Sequence, residues 1–267
     1  MPVRRDKRFR WRGLGIGSIP VIVFLVLPLV ALLLRINPSD FMATLSDPQA
    51  YQAIRLSIVT TLMTLVLTIV AGTPTAYVLS RKNIPGRTVI DTFLDLPIVL
   101  PPSVAGVALL VTFGRRGLLA PVLNGLHIDI AFTWIAVVLA QLFVAAPYYI
   151  KSAAAGFSAV DRELEQAAAI DGASPFKTFL TVTLPLSSPA VIGGAVMTWA
   201  RALGEFGATI IFAGNFPGRT QTMPLAIYMG FEIDIKNAIT LAFILLVVSF
   251  LVLLVVKGLL HNKLPVF

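Results

Sequence analysis

The sequence contains no cysteine, only two histidines and few charged residues, which make up 13% of its 267 positions. Without cysteine it forms no disulfide and no thiolate metal site, and His127 and His261 lie far apart and outside the apolar blocks. A soluble domain of this length carries about 25% charged residues. Because 57% of the residues are hydrophobic, we expect a polytopic membrane protein that holds no metal or other cofactor.

The sequence also lacks a G-x-x-x-x-G-K-[ST] phosphate-binding loop, and no loop is long enough for a separate soluble domain. Acidic, basic and nucleophilic side chains do not cluster at one membrane interface, as an integral-membrane enzyme would require. The net charge of +8 is typical of the basic cytoplasmic segments of membrane proteins. We therefore expect a protein that is not an enzyme and has no nucleic-acid partner.

Six apolar blocks are long enough to cross a bilayer core of about 30 Å as helices. The blocks are Leu14–Leu34, Leu56–Leu79, Leu96–Phe113, Ile130–Ile150, Pro189–Phe212 and Ala238–Val256. The first block is longer than the apolar part of a signal peptide and no small-residue cleavage site follows it, so we expect a retained membrane anchor. The sequence thus predicts an all-α membrane protein with six transmembrane helices in residues 14–260, a basic tail in 1–13 and a second tail in 261–267.

The distribution of lysine and arginine predicts the orientation of these helices. If the N-terminus is cytoplasmic, the inner segments carry more than twice as many basic residues as the outer ones, although the N-terminal tail supplies much of the excess. Cytoplasmic loops of membrane proteins carry such an excess. We therefore expect a multi-pass protein of the plasma (inner) membrane with both termini in the cytoplasm.

The loop between the fourth and fifth blocks is the most charged segment in the interior of the chain. It reads DRELEQAAAIDGASPFKTFLTVTLP over residues 161–185. Ser158 and Asp161 have the spacing of a capping box, and the acidic and alanine-rich residues that follow favour a helix. Gly172 is expected to end this helix in a left-handed conformation.

A second short helix is expected to start at Ser174 and Pro175, which are a favourable N-cap and first helical position. It would present Phe176, Phe179 and Leu180 on one side. An amphipathic connector lying on the membrane would need basic residues on its polar face, whereas the first helix is mostly acidic. We therefore favour a protein-docking surface over a membrane-surface connector.

The spacing in this loop resembles the signature of permeases of binding-protein-dependent ABC transporters: E-A-A, three residues, Gly, nine residues, then I-x-L-P. Gln166, Ala167 and Ala168 stand at the E-A-A positions, Gly172 at the glycine and 182–185 at I-x-L-P. The sequence departs from the signature at two positions, since glutamine replaces the first Glu and valine replaces Ile. A glutamate lies one position earlier, but no essential carboxylate is assigned at position 166.

This resemblance implies a type I ABC importer permease fold and several partners. In the family, the loop forms the coupling helix, which sits in a groove on a separate ATPase subunit. The resemblance therefore implies two ATPase subunits, an extracytoplasmic substrate-binding protein and a second permease subunit, with a homodimer expected and a heterodimer left open. The ATPase-coupling residues that it assigns within the loop 156–187 are Glu165, Gln166, Ala167, Ala168, Gly172, Ser174, Pro175, Phe176, Leu184 and Pro185.

Other stretches narrow the resemblance to permeases for oxyanions. WARALGEFGATIIFAGNFPGRTQTMPLAIY, at 199–228, resembles the fifth span and the following outer loop of molybdate and sulfate permeases, and is closer to the molybdate/tungstate branch. LDLPIVLPPSVAG at 94–106 and FGRRGLLAP at 113–121 fit the same group. The resemblance implies import of molybdate, with tungstate and sulfate as alternatives.

Arg201 and Glu205 are ionisable residues inside the fifth block, one predicted helical turn apart. A charge at the bilayer centre costs about 2.5–3.5 kcal/mol or more, so such residues are functional candidates. Together with Gly204 and Gly207, which permit close helix approach or a local break, they are candidates for the translocation path or a gate. An ion pair that only supports helix packing is the alternative.

The outer segment PGRT offers Arg219 and Thr220 as contacts for the binding protein, with the capping of a turn as the alternative. A different class of function is an ion-coupled secondary transporter of small anions. Such a transporter normally needs carboxylates or histidines inside its spans, and Glu205 is the single such residue in the predicted spans. An integral-membrane enzyme is the third alternative.

Overall fold

The computed structural model describes residues 7–82 and 85–261, and the surroundings of side chains over 19–82 and 85–258. The described residues are mostly helical and contain no strand. The first seven helices are α1 (Lys7–Leu34), α2 (Pro38–Ser46), α3 (Pro48–Arg81), α4 (Arg87–Val99), α5 (Pro102–Phe113), α6 (Ala120–Gly125) and α7 (Trp134–Ala159). The others are α8 (Arg162–Ile170), α9 (Pro175–Thr178), α10 (Leu184–Leu203), α11 (Gly207–Phe212), α12 (Met223–Ile233) and α13 (Ile235–His261). Of the two predicted tails, 1–6 and 262–267 lie outside the described residues, and α1 begins within the first tail at Lys7.

Four helices are long and apolar enough to cross a membrane: α3, α7, the helix Pro175–Leu203 and the part of α13 up to Gly258. We call Pro175–Leu203 the fifth-span helix; it joins α9 and α10 through a π-helical turn at Phe179–Thr183. The other two predicted spans are bent pairs, with an angle of 78° between α1 and α2 and 114° between α4 and α5. The described chain therefore has up to six spans if each bent pair counts as one.

The bend between α4 and α5 corrects the expectation of one straight helix over Leu96–Phe113. Pro101 and Pro102 lack backbone N–H donors, and a proline also disfavours the helical conformation in the residue before it. Leu100 accordingly has extended angles, with φ −62° and ψ 135°. The third apolar block thus contains only the end of α4 and the whole of α5, which meet at a proline pair.

Helix α7 lies at the centre and packs against α3 on one side and α10 on another. Small residues bring α7 and α10 together: a Cβ added at Gly194 would lie 2.7 Å from Ser152 Cβ, and one at Gly156 would lie 2.5 Å from Ala190 Cβ. Ser152 Oγ donates a hydrogen bond to Ala190 O at 2.7 Å. Because lipid tails give no hydrophobic drive for helix association, close contact of small residues and interhelical hydrogen bonds hold such helices together.

Helices α3 and α7 meet along a seam of buried hydroxyl and amide groups. Thr64 Oγ1 donates to Gln141 Oε1 at 3.1 Å, and Gln141 Nε2 donates to Thr60 Oγ1 at 3.3 Å. Thr60 and Thr61 also donate to carbonyl groups of their own helix at 2.8 and 2.7 Å. Every hydroxyl named here has a partner, as the absence of water in the bilayer core requires.

The consecutive glycines 193 and 194 provide a matched test of the α7–α10 contact. Gly194→Ala is expected to lower the free energy of unfolding by about 1–3 kcal/mol, because the added methyl group would push α10 away from Ser152. No atom lies within 4 Å of a Cβ added at Gly193. Gly193→Ala is therefore expected to be neutral or to stabilise by up to about 1 kcal/mol. Thermal unfolding of the purified protein in detergent measures both changes, and equal effects would contradict the tight contact.

Candidate functional site

The charged loop begins with α8, whose first residues are held by an aspartate cap. Asp161 Oδ1 accepts a hydrogen bond from the Glu163 N–H at 3.0 Å, and the acidic residues of the first turn favour the positive end of the helix dipole. The predicted capping box is wrong in its register. Ser158 still belongs to α7, which continues to Ala159, so Asp161 is itself the cap.

Gly172 ends this helix as predicted. Its φ is +83°, in the left-handed region that glycine adopts without strain. The N–H groups of Gly172 and Ala173 donate to the carbonyl groups of Ala169 and Ala168, both at 3.0 Å, and so close the end of the helix. No atom lies within 4 Å of a Cβ added at Gly172, so backbone conformation and not crowding requires glycine here.

Ser174 and Pro175 begin the next helix, as the sequence predicts. Ser174 Oγ accepts a hydrogen bond from the Lys177 N–H at 3.4 Å, and Pro175 occupies the first position. The expectation of a short second helix and a membrane span starting at Pro189 is wrong, because the fifth-span helix runs without interruption to Leu203.

The π-helical turn explains how this helix passes through a proline. Pro185 donates no N–H, and in a regular helix its ring would clash with the carbonyl group four residues earlier. Just before it, the Leu184 N–H reaches back five residues to Phe179 O, which widens the turn. Pro185 itself is exposed, whereas Leu184 packs against the buried cluster that contains Tyr149 and Phe157.

The loop exposes large apolar side chains beside its charges. Ile170 and Phe176 are 86% and 72% exposed, and Leu164 and Leu180 are also exposed. Phe179 differs from the expectation, because it turns inward and packs edge-on against Tyr77, with 5.1 Å between the ring centroids. Exposed apolar side chains that form a large patch mark surfaces that contact another protein or a membrane.

The predicted E-A-A positions divide between the two sides of α8. Gln166 and Ala167 are exposed, and Ala168 is half-buried. Glu165 points inward: its Oε1 lies 2.8 Å from Arg81 Nη2 and accepts a hydrogen bond from Thr183 Oγ1 at 2.6 Å. Sequence reasoning missed Arg81 and Thr183. Arg81 closes α3 and is 84 positions from Glu165, so no local pattern links them.

The second candidate site, at the end of the fifth span, differs from the sequence expectation. The predicted helix Pro189–Phe212 stops at Leu203, and Glu205 lies in the break before α11. Glu205 is 1% exposed; its Oε1 accepts the Ala208 N–H at 2.8 Å, and its Oε2 lies 2.6 Å from Arg201 Nη1. The carboxylate thus pairs with Arg201 and also caps the next helix.

The break in the fifth span touches the bend in the third. A Cβ added at Gly207 would lie 2.7 Å from Pro102 Cβ, and one at Gly106 would lie 2.9 Å from Ala208 O. Gly204, by contrast, is exposed. Irregular backbone at membrane depth is tolerated where protein covers it or where it lines a cavity. The two interrupted segments form one contact region beside the Arg201–Glu205 pair.

In the loop after α11, the two residues predicted to contact the binding protein differ in exposure. Arg219 is exposed and forms no ion pair with any described residue. Thr220 is fully buried, and its Oγ1 accepts the Phe216 N–H at 3.0 Å. This burial corrects the prediction of Thr220 as a contact residue, since its hydroxyl closes the turn that presents Arg219.

Among the described residues, no three His, Asp or Glu side chains gather in a way that could hold a metal ion. The two candidate sites are a charged loop that exposes large apolar side chains and a polar break in a membrane helix.

Comparison with known proteins places the chain among transport proteins. Residues 69–263 match the family described as the inner membrane component of binding-protein-dependent transport systems. The chain is 42% identical over 245 residues to the molybdenum transport system permease protein of Mycobacterium bovis, covering 91% of this chain and 92% of that protein. It is 35% identical to the molybdate/tungstate transport system permease protein of Thermococcus kodakarensis, covering 88% and 90%.

A similar solved structure is that of a bacterial alginate ABC transporter in complex with an alginate pentasaccharide-bound periplasmic protein. The TM-score is 0.70 at 17% identity, and the match covers 96% of this chain and 94% of that one. The similarity confirms the fold class expected from the sequence, an α-helical permease of the type I ABC importer fold.

Proposed function

Because this chain belongs to the family of inner membrane components of binding-protein-dependent transport systems, we propose that it carries molybdate across the plasma membrane. The chain is a permease subunit of an ABC importer. The observation that carries the choice of substrate is the 42% identity to a relative named for molybdenum transport. Tungstate and sulfate are tetrahedral oxyanions of the same charge and are the competing substrates.

The loop 161–185 is the site for a separate ATPase subunit. Its support is the exposed apolar group around Ile170 and Phe176 on a fixed two-helix turn. The lack of a P-loop in this chain agrees with ATP hydrolysis on another subunit. In a homodimer, two such loops receive two ATPase subunits, and both termini lie on the same cytoplasmic side.

The break beside Arg201 and Glu205 serves as the gate or lines the path, together with Gly204 and Gly207. Its support is the partly exposed guanidinium group of Arg201 next to irregular backbone in a membrane helix. An extracytoplasmic binding protein delivers the anion to the opposite side from the ATPase.

Reconstitution tests this function. Liposomes that contain this chain and its ATPase, with the binding protein supplied outside, are expected to take up labelled molybdate only with ATP, and vanadate should stop uptake. Uptake that survives vanadate and collapses with the proton gradient would instead show secondary transport. Competition by unlabelled tungstate and sulfate ranks the three oxyanions.

Arg219 gives a specific test of binding-protein docking. Arg219→Glu is expected to raise the binding-protein concentration that half-maximally stimulates ATP hydrolysis by about tenfold, or about 1.4 kcal/mol, because it reverses a charge at the contact. Basal ATPase activity should not change. Arg116→Glu, at another exposed arginine of the predicted outer segments, is the matched comparison. Equal loss of basal and stimulated activity in Arg219→Glu would indicate misfolding and contradict the contact.

A further inference from the structure

Glu165 connects α8, the docking helix of the proposed ATPase site, to two membrane helices. Its Oε1 forms an ion pair with Arg81, the last residue of α3, at 2.8 Å. The same oxygen accepts a hydrogen bond from Thr183, in the fifth-span helix, at 2.6 Å. The Arg81 and Glu165 side chains are only 10% and 16% exposed. A pair so shielded from water is screened far less than a surface pair.

Arg81 strengthens the same connection through the backbone. Its Nη2 also donates to Val160 O at 3.1 Å, just before α8, and Arg162 Nη2 donates to Arg81 O at 3.3 Å. The entry to the docking helix and its middle are thus both bonded to the end of α3.

The π-helical turn presents Thr183 to this cluster. Thr183 is the last residue of that turn and is fully buried. One helical turn before Arg81 and Thr183, the rings of Tyr77 and Phe179 pack edge-on against each other and against Phe157, with centroids 5.1–6.0 Å apart, and so join α3, the fifth-span helix and α7. The residues of the polar cluster therefore follow directly, in α3 and in the fifth-span helix, on residues that are packed together by aromatic contacts.

We propose that Glu165 is a positioning residue that ties α8 to α3 and to the fifth-span helix through Arg81 and Thr183, so that all three helices move together when the ATPase displaces α8. This inference rests on the proposed function of the loop. It differs from a direct contact between Glu165 and the ATPase, because the carboxylate faces inward while Gln166 and Ala167 occupy the exposed surface. The carboxylate thus transmits movement from α8 to the membrane helices, whereas its exposed neighbours contact the ATPase.

The absence of cysteine from the chain allows a direct test. In the variant Arg81→Cys/Glu165→Cys, the ion pair is lost, and molybdate transported per ATP hydrolysed is expected to fall by about fivefold or more, while ATPase binding changes little. Joining the two cysteines with a short bismaleimide should restore most of that ratio, because a covalent link replaces the ionic one.

Two further variants keep the result interpretable. Thr183→Val, which preserves shape and removes one hydrogen bond, should lower the ratio by a smaller factor. Asp129→Ala removes an exposed carboxylate that pairs with Arg115 at 3.6 Å, outside the loop 161–185, and should leave the ratio unchanged. Loss of ATPase binding in Glu165→Ala would make Glu165 a docking residue and overturn the proposal, as would loss of transport on cross-linking. A wild-type complex that does not assemble or transport would instead refute the proposed function.

Discussion

Replacing Arg201 with methionine is expected to destabilise the protein by about 3 kcal/mol, the lower end of the cost of breaking a buried ion pair. Glu205 is 1% exposed and would lose its ion-pair partner, whereas Arg201, at 27% side-chain exposure, is already partly hydrated. Thermal unfolding in detergent measures the loss. A change below about 1 kcal/mol would contradict the ion pair, since exposed pairs contribute that little.

The double replacement Arg201→Met/Glu205→Gln separates stability from transport. Removing both charges is often tolerated, and the glutamine oxygen can still accept the Ala208 N–H that Glu205 accepts at 2.8 Å. The double variant is therefore expected to recover most of the stability and to assemble with its ATPase, but to take up labelled molybdate poorly. Near-normal uptake by assembled complexes in liposomes would reduce Arg201 to a structural residue.

Replacing Gly172 with valine is expected to impair ATP-driven transport strongly while membrane insertion survives. A β-branched residue at φ +83° pays about 1–2 kcal/mol for the left-handed conformation, so the turn that orients the two helices of the loop would relax. Transport by reconstituted complexes is expected to fall by about tenfold or more through weakened coupling.

Two controls isolate the role of this turn. Gly172→Asn should retain most transport, because asparagine tolerates the left-handed region. Gly86 has φ +75° and no atom within 4 Å of an added Cβ, so Gly86→Val imposes the same strain in another loop and should preserve ATPase assembly. Normal transport by a well-inserted Gly172→Val variant would refute the docking role of the loop.

The features predicted from the sequence are those with local causes. Gly172 and Ser174 end and begin helices through contacts within four residues, so their patterns suffice. The apolar blocks likewise predict membrane helices, because length and composition determine them.

The features missed depend on backbone geometry or distant partners. The prolines at 185 and 189 suggest helix ends, but the π-helical turn lets the helix continue through Pro185. The break at Glu205 lies inside an apolar block, where Gly204 and Gly207 indicated it only as an alternative to close helix approach. The inward turn of Glu165 depends on Arg81, which only the folded chain brings near.

The seam between α3 and α7 bears on how this membrane protein can change shape. Thr61 Oγ1 has two acceptors in reach, Ser57 O at 2.7 Å and Ile58 O at 3.1 Å, and Thr64 Oγ1 has Val138 O at 3.4 Å besides the Gln141 side chain at 3.1 Å. A hydroxyl rotor can exchange one acceptor for another without becoming unsatisfied. At Thr64 both acceptors belong to α7, so this contact tolerates a small shift of one helix along the other without leaving a buried hydroxyl unsatisfied, which a seam of interlocked leucines would not allow.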